Sequence, residues 1–101
     1  MTPTVEILRR ARELLVRDGW AQHVILSGDG RRCLMGAIIH AGQPTPADPE
    51  GNRRWAAVEP VCKVIGHRFI GQWNDAPGRT FEEVLAAFDR AITMEEAKVR
   101  G

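Results

Sequence analysis

Most of what would assign a function at sight is scarce in these 101 residues. There are two cysteines, Cys33 and Cys62, too few for the disulfide framework that staples small secreted domains, so both are expected as free thiols in a reducing compartment. Each sits in an apolar stretch (Cys33-Leu34-Met35 and Val61-Cys62-Lys63-Val64), where cysteine acts as a small hydrophobe. Burial is therefore expected, for Cys62 above all. No apolar run approaches the roughly 20 residues that cross a bilayer. The start, Met1-Thr2-Pro3-Thr4-Val5-Glu6, turns charged before a signal-peptide core could form, so the expected location is the cytoplasm, with no membrane partner.

Charge of one sign is lacking as well: 14 Lys and Arg stand against 13 Asp and Glu, a net charge of +1. A non-specific nucleic-acid binder draws affinity from counterion release by surplus cations, and no short turn joins two helices with a basic second member. Nucleic acid is therefore not expected as a partner. Arg9, Arg10, Arg12, Arg17, Arg31 and Arg32 crowd the first third, but interleaving with Glu6 and Glu13 reads as a solvated face. Paired metal ligands are missing too. His23, Cys33, His40, Cys62 and His67 are scattered singly, where zinc sites show pairs such as Cys-x-x-Cys. Cys62 and His67 could meet at a helix end but would need two further ligands. A nucleophilic pair of Cys33 with His23 or His40 would require the fold to bring them together. No metal, cofactor or catalytic residue is assigned.

What is present is a globular composition, 44% apolar and 27% charged, in a length suited to one domain that buries roughly 65% of its unfolded surface. The fold class is mainly α: a single domain over 1–101, of about four helices. The first is capped by Thr2 or Thr4, with Ile7, Leu8, Ala11, Leu14 and Leu15 at helical spacing. Asp18-Gly19 ends it through a left-handed glycine, and Trp20 is placed to fold back over that end. Val24-Ile25-Leu26 before Ser27-Gly28-Asp29-Gly30 allows either a short β-hairpin near 24–33 or a plain loop. The second helix, about Cys33 to His40, is apolar nearly all round and so the most buried. Gly36 within it would admit a close backbone neighbour.

Residues 42–52 hold three prolines in a polar stretch and read as an exposed, mobile loop, where Asp48-Pro49 could open an extra helical turn. A third helix spans Arg53 to Ile65 with a Trp55, Val58, Cys62, Ile65 stripe inward, and Pro60 should kink or restart it. The segment 67–79 is irregular. Thr80 and Glu83 form a capping box for a fourth helix that turns Phe81, Val84, Leu85, Phe88 and Ile92 inward.

The richest segment is Trp73-Asn74-Asp75-Ala76-Pro77-Gly78-Arg79-Thr80. An aromatic ring beside an amide, a carboxylate and an arginine could bind a ligand or partner, so Trp73, Asn74, Asp75 and Arg79 are the candidate site residues. They could equally brace the turn, Asn74 and Asp75 bonding its amides and Arg79 pairing with Asp75. This segment and Arg32-Cys33-Leu34-Met35-Gly36-Ala37-Ile38 resemble the Trp-Asn-Asp-x-Pro-Gly-Arg-Thr and Cys-Leu-x-Gly-Ala motifs of a family of small uncharacterised proteins from actinobacteria and their phages. The likeness covers nearly the whole chain outside the proline-rich loop. It implies an actinobacterial or phage origin, with the host cytoplasm as location in the latter case, and implies no activity. The expected function is a protein-interaction or accessory module without catalysis of its own. Its partner would be another protein, or a second copy as a homodimer. The alternative is a small ligand-binding domain or enzyme using the Trp73–Arg79 loop.

Overall fold

The computed structural model describes residues 2–100, with side chains through Lys98. These residues form five helices: α1 (Pro3–Asp18), α2 (Leu34–Ala41), α3 (Arg53–Ile65), α4 (Ile70–Asn74) and α5 (Phe81–Arg100). α1 packs against α2, α3 and α5, and the short α4 is held by α2 and α3. One core joins all five, centred on Ile7, Leu8, Leu15, Leu34, Ile38, Val61, Ile70, Val84 and Phe88.

Local chemistry sets the helix ends. Thr2 Oγ1 accepts from Val5 N at 3.2 Å and Pro3 occupies the first turn, where a missing amide hydrogen costs nothing. α1 closes with Gly19 N donating to Leu15 O at 2.9 Å. Gly19 is not the left-handed cap its sequence suggests, because φ is 100° and ψ 160°. A side chain there would also meet Arg31 Cγ at 2.8 Å. Trp20 does fold back, its ring stacked on Phe81 with centroids 6.1 Å apart.

α2 is capped by a cysteine. Cys33 Sγ accepts from Gly36 N at 3.2 Å, which moves Cys33 from the helix to its N-cap. The close approach expected at Gly36 is present: a Cβ there would clash with the backbone oxygen of Ile25. No hairpin forms around 24–33. Among the described residues there are only isolated bridges, Leu26 with Arg32, Trp20 with Arg32 and Thr45 with Asp48, and no strand.

The proline-rich segment exposes most of its side chains but is not a free tether. Thr45 and Asp48 exchange two backbone hydrogen bonds at 3.0 Å. The Asp48 carboxylate then accepts from Asn52 N at 2.9 Å and Arg53 N at 3.0 Å, doing for α3 what the side chain of its cap residue Asn52 does not. Asp48 thus caps α3 instead of opening an extra turn. α3 runs unbroken through Pro60, whose ring is buried; packing in the core offsets the lost backbone bond. The fully buried face of α3 is Ala57, Pro60 and Val61; of the expected stripe, Val58, Cys62 and Ile65 pack half-buried against the core, whereas Trp55 is left 49% exposed. A helix apolar on two sides can bury either, and the fully buried Ala57 lets α3 lie close to the core.

α4 falls inside the segment expected to be irregular. Its anchors are Ile70 and Asn74, both buried. α5 buries Val84, Ala87, Phe88, Ala91 and Ile92, so Ala87 and Ala91 share the inner face that Phe81 and Leu85 only half enter.

Candidate functional site

The four residues singled out by sequence lie at the end of α4 and in the turn beyond it. Asn74 is fully buried. Its Oδ1 accepts from Trp20 Nε1 at 2.7 Å and from Leu34 N at 3.0 Å. Its Nδ2 donates to Ala21 O at 3.1 Å and Asp75 Oδ1 at 3.0 Å. An amide side chain has two donors and one carbonyl acceptor with two lone pairs, and all are in use. Gln22 Nε2 adds bonds to Asn74 O at 3.0 Å and Ala76 O at 3.1 Å. Asn74 and Asp75 therefore do not chiefly brace their own turn. They tie it to the 20–23 loop and to the start of α2.

Asp75 accepts from His23 N at 2.8 Å, and its other oxygen lies 4.0 Å from His23 Nδ1. The His23 amide, aided by Asn74, holds the carboxyl below its usual range. The same bond secures His23 at φ 70°, a left-handed conformation that a non-glycine residue adopts only where its surroundings enforce it. The expected Arg79–Asp75 pair is absent. Arg79 lies over the Trp73 ring, 3.8 Å from its centroid. It donates to Trp73 O at 2.9 Å and to Glu83 Oε2 at 3.0 Å. Thr80 N donates to Glu83 Oε1 at 2.9 Å, and Glu83 N donates to Thr80 Oγ1 at 3.2 Å, a reciprocal capping box. These bonds from Thr80 hold the Glu83 carboxyl below its usual range.

The basic run of the first third is largely neutralised in space. Arg9 pairs with Glu96, Arg12 with Asp89, Arg17 and Arg32 with Asp18, and Arg31 with Asp29. Of that run, only Arg10 has no carboxylate partner among the described residues. The cysteines reverse the expected order: Cys33 is buried and Cys62 only half so. Burial raises both thiols, the opposite of what a nucleophile needs. His23, a candidate base for Cys33, has its side chain 74% exposed, whereas Cys33 Sγ is engaged at the cap of α2. No group of three or more His, Cys, Asp or Glu among the described residues is arranged to hold a metal ion.

A different surface was not singled out by sequence reasoning. Trp55, Val58, Cys62, Gly66, His67 and Arg68 line an open groove of about 520 Å³ along the outer face of α3. Phe69 beside it is 59% exposed, and the His67 ring meets it edge-on at 6.3 Å. The Arg54 guanidinium lies 4.9 Å from the Trp55 ring centroid. On the rim Lys63 pairs with Glu59 at 3.6 Å, both side chains more than half exposed. The signal was in the sequence: of the stripe Trp55, Val58, Cys62 and Ile65, the last three are half-buried against the core, and the outer sides of Val58 and Cys62 line the groove with exposed Trp55.

No curated protein and no solved structure matches the chain. A match to a family profile over residues 1–94 embraces every helix except the last residues of α5, and by that match the chain belongs to a family of unknown function, DUF6197.

Proposed function

We propose that this chain is a non-catalytic protein-interaction module, an accessory protein of actinobacterial or phage origin, which engages a partner protein in the cytoplasm through the α3 groove. The observation that carries this reading is Trp55, left 49% exposed on an apolar helix face. A large aromatic ring in water forgoes the burial that makes Trp a dominant residue of interfaces. Contiguous apolar exposure of this kind marks binding surfaces in folded monomers. Two free thiols suit a reducing compartment, and the resemblance of the Cys33–Ala37 and Trp73–Thr80 motifs supports the origin.

The alternative, a ligand site at Trp73, Asn74, Asp75 and Arg79, is disfavoured by geometry. Asn74 has no free hydrogen-bonding group, and Arg79 covers one face of Trp73. A photocrosslinking residue placed at Val58, in the cell of origin, should give a discrete crosslinked product. The same probe at exposed Ala86 on α5 should give none, and Trp55→Ser should abolish the Val58 product. Equal crosslinking from both positions, or none from Val58, refutes the reading.

A further inference from the structure

We infer that the occupant of the α3 groove is an acidic amphipathic peptide segment of the partner, its apolar side chains against Trp55 and Val58 and its carboxylates against Arg54 and Arg68. The inference rests on the groove being the docking surface and adds the chemistry of what docks. Its basis is the distribution of charge. Among the described side chains, seven arginines have a carboxylate within 4.0 Å: Arg9, Arg12, Arg17, Arg31, Arg32, Arg53 and Arg79. Among the described side chains Arg10, Arg54, Arg68 and Arg90 have none. Two of those four flank this groove: Arg68 lines it and Arg54 lies over Trp55.

Arg54 is the more telling. It is half-buried, and its Nε is shielded from solvent without a hydrogen-bond partner. Gly51 fits against it, since a Cβ there would come within 3.3 Å of the guanidinium. A partly desolvated guanidinium without a counter-ion gains more from an incoming carboxylate than an exposed one does. The one acid lining the groove, Glu59, is taken up by Lys63. An apolar floor with an uncompensated cationic rim is complementary to a segment apolar on one side and acidic on the other.

The test is selection of a random sixteen-residue peptide display library on the intact protein. Binders should be enriched in Asp and Glu interleaved with apolar residues. Trp55→Ser should weaken them about thirtyfold, as loss of a hot-spot tryptophan does. Arg68→Glu should weaken them several-fold, and raised salt should reduce the wild-type affinity while barely affecting that of the Arg68→Glu protein. Circular dichroism of each variant guards against misfolding, and Arg10→Glu, away from the groove, should leave binding unchanged. Neutral or basic binders that still depend on Trp55 would overturn the acidic occupant and leave the groove standing. Binders indifferent to Trp55→Ser, or no enrichment at all, would overturn both. Concentration-dependent dimerisation abolished by Trp55→Ser would make the occupant a second copy and overturn the inference.

Discussion

Replacing Asn74 with alanine removes a side chain that ties both the 20–23 loop and the start of α2 to the end of α4. The Leu34 amide loses its acceptor at 3.0 Å and the Ala21 carbonyl its donor at 3.1 Å. Both residues are buried, at 0% and 6% exposure, so water does not readily take over. The Trp20 indole also loses its 2.7 Å acceptor but is only half-buried and can be partly rehydrated. A buried polar group left unsatisfied costs about 1–3 kcal/mol. Two such groups plus the vacated volume give a loss of about 3–5 kcal/mol, a large part of the roughly 5–15 kcal/mol that stabilises a domain. The thermal midpoint should fall by about 12 °C or more. Asn74→Asp is the near-isosteric partner experiment. It keeps an acceptor for Trp20 and Leu34 but sets oxygen against the Ala21 carbonyl and the Asp75 carboxylate, and it too should be clearly destabilised. Urea unfolding followed by circular dichroism measures both. Tryptophan emission should also shift, because Trp20 loses its tether. If both variants unfold within about 0.5 kcal/mol of the parent, the scale of an ordinary surface change, then Asn74 is not structural and the Trp73–Arg79 segment becomes the leading candidate site.

Three further outcomes are expected. Thr80→Ala should cost about 1 kcal/mol, the worth of a cap, and lower the midpoint by roughly 4–8 °C; an unchanged melt would mean that the reciprocal bonds with Glu83 are energetically idle. Thiol reagents should modify half-buried Cys62 first and buried Cys33 only with unfolding, and rapid labelling of Cys33 in the native protein would contradict its place at the cap of α2. Asp48, Asp75 and Glu83 are all held below the usual carboxylate range, in each case first by a backbone amide. A carboxyl depressed on folding stabilises above its unfolded value of about 4 and loses that contribution as pH falls through its folded value. Stability should therefore be level near neutrality and decline below about pH 4, less steeply in Asp48→Asn and Asp75→Asn; a decline beginning near pH 6 would point to histidine instead.

The elements that are local in origin were legible in the chain. The bounds of α1 and α3, the capping box at Thr80 and Glu83, and the reversal of the chain at Trp20 follow from spacing, cap residues and glycine position, which act over a few residues. Gly36 was readable for the same reason, since a glycine inside an apolar helix needs a close neighbour to justify it. Tertiary structure decided everything that depends on which surfaces meet. α3 is apolar on two sides, and only packing chose Ala57 and Val61 for the core and left Trp55 outside. The partners of Asn74 were equally hidden, because a short polar side chain satisfies itself with whatever the fold brings within about 3 Å. For Asn74 that was the 20–34 region, more than 35 residues away. The same holds for charge: a sequence shows that cations and anions balance in number, and only the folded chain shows that Arg54 and Arg68 are left without their share, because Coulomb pairing depends on distance in space and not along the chain.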